Sequence, residues 1–139
     1  MKRLLWLALL AATVSAGAAV DVDALWNHAD PAASEARFRQ ALAAAQGDDA
    51  LVLRTQIART LGLRQRYDEA HRELDAIEPA LAGAGVEPRV RAWLERGRTL
   101  RSSGQADRSR PLFNRAYVTA DAAGLEVLAV EQVTGSPEM

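Results

Sequence analysis

Cysteine is absent from the 139 residues. Its absence removes disulfides, thiol catalysis and lipoprotein acylation together. Lysine occurs once, as Lys2, while arginine carries the rest of the positive charge. So complete a preference fits a GC-rich coding sequence and does not by itself mark phosphate binding. Aromatic residues make up only 5% of the chain, and alanine is abundant. Such a core packs helices closely but buries little area per residue. At about 25 cal/mol per Å² of buried apolar surface, modest stability follows.

Signatures of catalysis are missing too. His28 and His71 stand apart with no cysteine or second histidine near either, and metal ligation needs a cluster. His71, behind Asp68 and Glu69, reads as a solvated surface histidine. There is no G-x-S-x-G, no P-loop and no G-x-G-x-x-G. Ser102-Ser103-Gly104 has no base at hand and reads as a helix end. Glu69 and Glu73 lie one helical turn apart, flanked by Arg66 and Arg72, which makes a charged solvent face. No catalytic residue, metal or cofactor is assigned, and no enzymatic activity is expected.

Residues 1–18 have the form of a secretory signal peptide. Lys2 and Arg3 open it, Leu4 to Val14 is apolar, and Ala16-Gly17-Ala18 fits the small-residue cleavage pattern. A cut after Ala18 comes first and one after Ala16 second. The alternative is an uncleaved anchor in the inner membrane. A span needs ~20 apolar residues, and Asp21 and Asp23 end this run too soon. Cleavage leaves no stable membrane insertion and predicts a periplasmic protein. The remaining chain has 15 arginines and 18 acids, a net charge of −3. That balance implies no nucleic-acid partner.

The rest of the chain is helical in pattern. Residues 19–29 read as an irregular segment anchored by Leu25 and Trp26. Asp30-Pro31 is a helix start, an N-cap with proline at the first position. Phe38, Ala41, Leu42 and Ala45 make its buried stripe, and Gly47 its C-cap. Arg54 to Ile77 reads as two amphipathic helices around a basic turn. Ile57, Ala58 and Leu61 share one face, and Tyr67, Ala70, Leu74 and Ile77 share another. Asp48 or Asp49 is expected to cap the first of these helices and Asp68 the second. Glu87-Pro88 opens a third pair, with Val90, Trp93, Leu94, Gly97 and Leu100 inside. Pro111 would cost ~3 kcal/mol deep in a helix, so Ser109 is expected as N-cap with the helix starting near Arg110. Leu125 to Val133 reads as a single capping helix, and 134–139 as a frayed tail.

The pairs echo each other. Gly97, Leu100, Phe113 and Ala116 follow Ala58, Leu61, Leu74 and Ile77 in turn, at one constant offset. Helix pairs repeated at such spacing form solenoids. The pattern resembles the tetratricopeptide repeat, whose period is ~34 residues. Trp93, Gly97, Leu100, Gly104, Phe113 and Ala116 carry the resemblance in one copy. Ala58, Leu61, Tyr67, Ala70, Leu74 and Ile77 carry it in the other. The chain departs from the motif at Arg54, Gln65, Arg96, Ala106 and Ser109, and both copies lack the closing proline.

The resemblance implies an all-α, right-handed solenoid of antiparallel pairs, about two and a half to three repeats over residues 30–133. It also implies a concave face made by the first helix of each pair, where peptides bind. Carried over, that face comprises Val52, Thr55, Arg59 and Gly62, then Arg91, Leu94, Arg98 and Arg101. Thr55, Arg59, Arg91, Leu94, Arg98 and Arg101 are thus the candidate peptide-binding residues. Arginine forks suit carboxylates, although Gln56 and Glu95 stand where a carboxylate-clamp member of the family would carry asparagine. The competing expectation is that acids on the adjacent second helix, Glu69 or Glu73, neutralise Arg59 and Arg98. The functional expectation is a non-catalytic protein- or peptide-binding module of the cell envelope. Its alternative is a structural or assembly subunit that self-associates or docks through its terminal helix.

Overall fold

The computed structural model describes residues 19–125. The expected signal peptide, the tail, and the capping helix beyond Leu125 lie outside the described residues. Within them the chain is all-helical: α1 (Val22–Leu25), α2 (Pro31–Leu42), α3 (Gly47–Leu63), α4 (Tyr67–Leu81), α5 (Val86–Ser102) and α6 (Ala106–Ala122). Each helix packs on its neighbours in sequence, and α3 also packs on α5.

Local chemistry sets the ends. The Asp30 carboxylate accepts from the Ala33 amide at 3.1 Å, and Pro31 takes the first helical position of α2, as expected. That helix ends at Leu42 and not at Gly47. The chain tightens there into bonds from the Ala44 and Ala45 amides to the Ala41 and Leu42 carbonyls. Gly47, with φ +58°, makes the left-handed entry to α3. Asp48 and Asp49 do not cap α3. Their carboxylates accept from backbone amides distant in sequence, Asp48 from Gly85 at 3.0 Å and Asp49 from Val20 at 3.3 Å. Asp68 likewise sits inside the first turn of α4, where its charge suits the helix dipole.

Ser109 is not an N-cap either. It lies in the second turn of α6, and its buried hydroxyl donates to the Ala106 carbonyl at 2.7 Å. Pro111 is accommodated inside this helix. It forfeits only a bond to the carbonyl of Asp107, and both residues are exposed, so water satisfies that oxygen.

The turns after α3, α5 and α6 share one construction. The amides of Arg66, Gln105 and Leu125 donate to the carbonyls of Leu61, Leu100 and Ala120 at 2.9, 2.8 and 2.8 Å. Gln65, Gly104 and Gly124 supply the left-handed residue, at φ 60°, 86° and 72°. This is the Schellman closure. Gln65 performs without glycine what Gly104 performs with it, and the two are related by the offset that relates the helix pairs.

Helix α3 is the spine. Val52, Leu53, Ile57, Ala58 and Leu61 are buried, and with Phe38, Ala70, Leu74, Ile77, Leu81 and Ala92 they form the larger core. Thr55 and Thr60 are buried too, and each returns its hydroxyl to a carbonyl of its own helix. That local bonding lets polar residues enter a helix surrounded by others. The smaller core joins Val90, Leu94, Ala116 and Ala120, with Trp93 and Phe113 at its edge. Gly97 lets the Phe113 ring of α6 sit against the backbone of α5: a Cβ there would lie 2.7 Å from that ring.

Candidate functional site

A cavity of about 590 Å³ opens between the N-terminal segment, the C-terminal half of α3 and α5. Its lining repeats at the offset of the helix pairs: Gln56 with Glu95, Arg59 with Arg98, and Gly62 with Arg101. Of the six candidate residues, Arg59, Arg91, Arg98 and Arg101 reach it. Thr55 and Leu94 do not; both are fully buried in the packing around α3 and α5. Gln56 and Glu95, also buried, border the cavity in their stead. No helix among the described residues is long and apolar enough to cross a membrane.

Trp26 forms one wall. Its indole N–H donates to the Gln56 amide oxygen at 2.9 Å. Its ring meets Phe38 edge-on, with centroids 5.1 Å apart, and stacks on His28 at 4.7 Å. The Arg59 guanidinium rests 5.3 Å from the ring centre, within cation–π range. Aromatic support of this kind holds a guanidinium in place and leaves its charge uncancelled. Among the described residues no carboxylate lies within ion-pair distance of Arg59.

Arg98 is held differently. Its Nη1 donates to Oε1 of Glu95, three residues earlier on the same helix, and the Glu95 side chain is only 3% exposed. Arg91 donates to Glu87 at 3.0 Å. Arg101 lies 5.1 Å from the centre of the Phe113 ring. Burial, and then the charge of Arg98, lower its pKa from the ordinary value, but an arginine stays protonated in a protein. The cavity therefore holds more basic than acidic side chains, with Glu95 and Asp23 as its carboxylates.

The acids expected to neutralise Arg59 and Arg98 are engaged elsewhere. Glu69 pairs with Arg66, and Glu73 accepts from Arg39 at 3.2 Å. Arg39 also donates to Glu35 at 2.6 Å, and Arg64 donates to the same carboxylate. Burial would raise the Glu35 pKa, but the bonds and charges of Arg39 and Arg64 outweigh it and hold the carboxyl below its ordinary range. This network joins α2, α3 and α4 on a surface away from the cavity. His71 is half-buried and not solvated as expected. Its Nδ1 accepts from Arg96 Nη1 at 2.9 Å, and Arg96 Nη2 donates to Asp75 at 2.6 Å. Burial, then the nearby Arg96 charge, lower the His71 pKa.

Sequence reasoning missed Trp26 as a cavity wall and Glu95 as the partner of Arg98. The available signal was that Gln56 and Glu95 are repeat-equivalent and stand one helical turn before Arg59 and Arg98. Among the described residues no group of three histidines or carboxylates stands close enough to hold a metal ion. Comparison with protein-family models, with curated proteins and with solved structures finds no match.

Proposed function

We propose that this chain is a non-catalytic protein- or peptide-binding module of tetratricopeptide type, exported to the periplasm. In this reading α3–α4 and α5–α6 are successive repeats of a right-handed solenoid, and the cavity is its concave face. The ligand is an anionic segment of a partner protein. The observation that carries the reading is the cavity itself: arginines from α3 and α5 converge on it at repeat-equivalent positions. Identical turn closures at Gln65 and Gly104, one repeat apart, support the repeat. Arg59 in particular has an aromatic contact but no carboxylate partner among the described residues, so its charge is open to an anionic ligand. The test is capture from an envelope extract with wild-type protein and with Arg59→Ala. A partner retained by the wild type, lost from the variant and released by salt supports the reading. Equal capture by both removes the basic cavity from the account.

A second reading is an assembly subunit. Tyr117 and Val118, 41% and 56% exposed on α6, favour it. It requires association that grows with protein concentration and disappears in Tyr117→Glu. A monomer at all concentrations in sedimentation removes it.

A further inference from the structure

We infer that Glu95 is a built-in competitor for the ligand of this cavity, so that the α3 half engages a ligand carboxylate while the α5 half is held in reserve. The inference rests on the reading of the cavity as a receptor for carboxylate-bearing peptides. The chain carries its own control. Gln56 and Arg59 in α3 correspond to Glu95 and Arg98 in α5. At the first pair the position before the arginine is a neutral amide, bonded to Trp26, and the arginine leans on that ring with its charge intact. At the second pair the same position is a carboxylate bonded to the arginine.

Packing does not demand that carboxylate. A glutamine of nearly the same shape is buried at the equivalent place in α3. Stability does not demand it either. Removing a carboxylate from water costs about what its ion pair returns, unless its remaining lone pairs are well bonded. What Glu95 does is set charge: it cancels the Arg98 guanidinium, which lines the cavity and is 16% exposed. A ligand carboxylate reaching Arg98 meets the Glu95 charge as a competitor, whereas one reaching Arg59 meets no competing carboxylate among the described residues.

Two of the neutral donors beside the cavity are already committed. The Gln56 amide nitrogen donates to Thr55, and the Thr99 hydroxyl donates to the Glu95 carbonyl. The Arg59 guanidinium meets no carboxylate among the described residues and carries a full charge on the cavity wall, which favours a ligand carboxylate there. Such a carboxylate comes either from an aspartate or glutamate side chain or from a chain terminus.

Fluorescence anisotropy with three labelled peptides tests this. One is capped at both ends and carries alternating glutamate and glycine. One has neutral side chains and a free C-terminal carboxylate. The third is the amide of the second. Each is titrated into wild type, Glu95→Gln, and the double variant Glu95→Gln with Arg98→Ala. Releasing one charge-assisted bond corresponds to about a tenfold gain. Glu95→Gln is expected to bind at least one carboxylate probe about that much more tightly, the two probes reporting which source of carboxylate is taken. The gain shrinks with salt and vanishes in the double variant. Wild-type binding that Glu95→Gln leaves unchanged or weakens overturns the inference while the proposed function stands. Binding of neither carboxylate probe to any of the proteins overturns both. An equal gain for the amidated peptide overturns the inference, because charge is then not what Glu95 controls. Loss of helix content in Glu95→Gln also overturns it, because a neutral amide then does not fit where Gln56 fits in α3.

Discussion

The two halves of the molecule turn alike and are filled differently. Ala58, Leu74, Ile77 and Leu81 of α3 and α4 stand at one constant offset from Gly97, Phe113, Ala116 and Ala120 of α5 and α6. In the first half an alanine faces aliphatic side chains of medium size. In the second the alanine has become glycine, a phenylalanine fills the space, and the next two positions have shrunk to alanine. Only the Gly97–Phe113 exchange moves size across the helix contact; the two alanines reduce the total. The consequence lies in the cores. The first buries Phe38, Leu53, Ile57, Leu74 and Ile77 together, and the second is lined by Val90, Leu94 and two alanines. The second pair accordingly stands on fewer deeply buried side chains.

Breaking the glycine–phenylalanine exchange gives the largest effect. Gly97→Leu forces bulk against the Phe113 ring, where even a Cβ would stand at 2.7 Å. Overpacking of this kind costs roughly 1–3 kcal/mol. Thermal melts are expected to show that loss, and Phe113→Leu in the same chain to return part of it. The exposed Arg108→Leu is expected to stay within about 0.5 kcal/mol of wild type. An unchanged melting temperature in Gly97→Leu contradicts the α5–α6 contact.

The turns sharpen the comparison at smaller scale. Gln65 and Gly104 both occupy the left-handed region, which costs a residue with a Cβ roughly 1–2 kcal/mol. Substitutions at these equivalent sites are therefore expected to have opposite signs. Gln65→Gly raises stability and Gly104→Ala lowers it, each by about 1 kcal/mol, as read by chemical denaturation. The same sign at both sites contradicts their equivalence.

Much of this was legible in the sequence because it is local. The Asp30-Pro31 start and the helix end at Gly104 each follow from a few neighbouring residues. What was not legible depends on partners distant in the chain. Asp48 and Asp49 look like caps, but the amides of Gly85 and Val20 claim their carboxylates. Thr55 and Gln56 are both polar and both buried, and only the tertiary packing decides which of them borders the cavity. Pro111 looks prohibitive when set in the middle of a regular helix, but it stands early in α6 and on its wet side. Trp26 belongs to an irregular stretch whose periodicity carries no direction.

Acid is expected to separate the halves by smaller increments. His71, between α4 and α5, has a pKa below its ordinary 6.5, chiefly through burial. The unfolded chain takes that proton first, so the contribution is present above about pH 6.5 and is lost as pH falls through the folded value. Glu35, between α2, α3 and α4, is held below its ordinary 4.5 by Arg39 and Arg64 against the effect of burial. Its contribution is present above about pH 4.5 and lost as pH falls further through the folded value. Denaturation across this range is expected to show the first slope flattened in His71→Gln and the second in Glu35→Gln. Coincident profiles for wild type and both variants contradict these assignments.

The central claim is that the uncancelled charge of Arg59, braced on Trp26, binds an anionic segment of a partner. Its most direct test is the affinity of the captured partner for wild type and for Arg59→Ala at two salt concentrations. A charge-assisted bond is worth roughly 1.5–3 kcal/mol. Affinity is expected to be at least about tenfold weaker in the variant at low salt, with a smaller difference at high salt and a melting temperature lowered only slightly by loss of the Trp26 contact. Equal affinity at both salt concentrations, with both proteins folded, contradicts it.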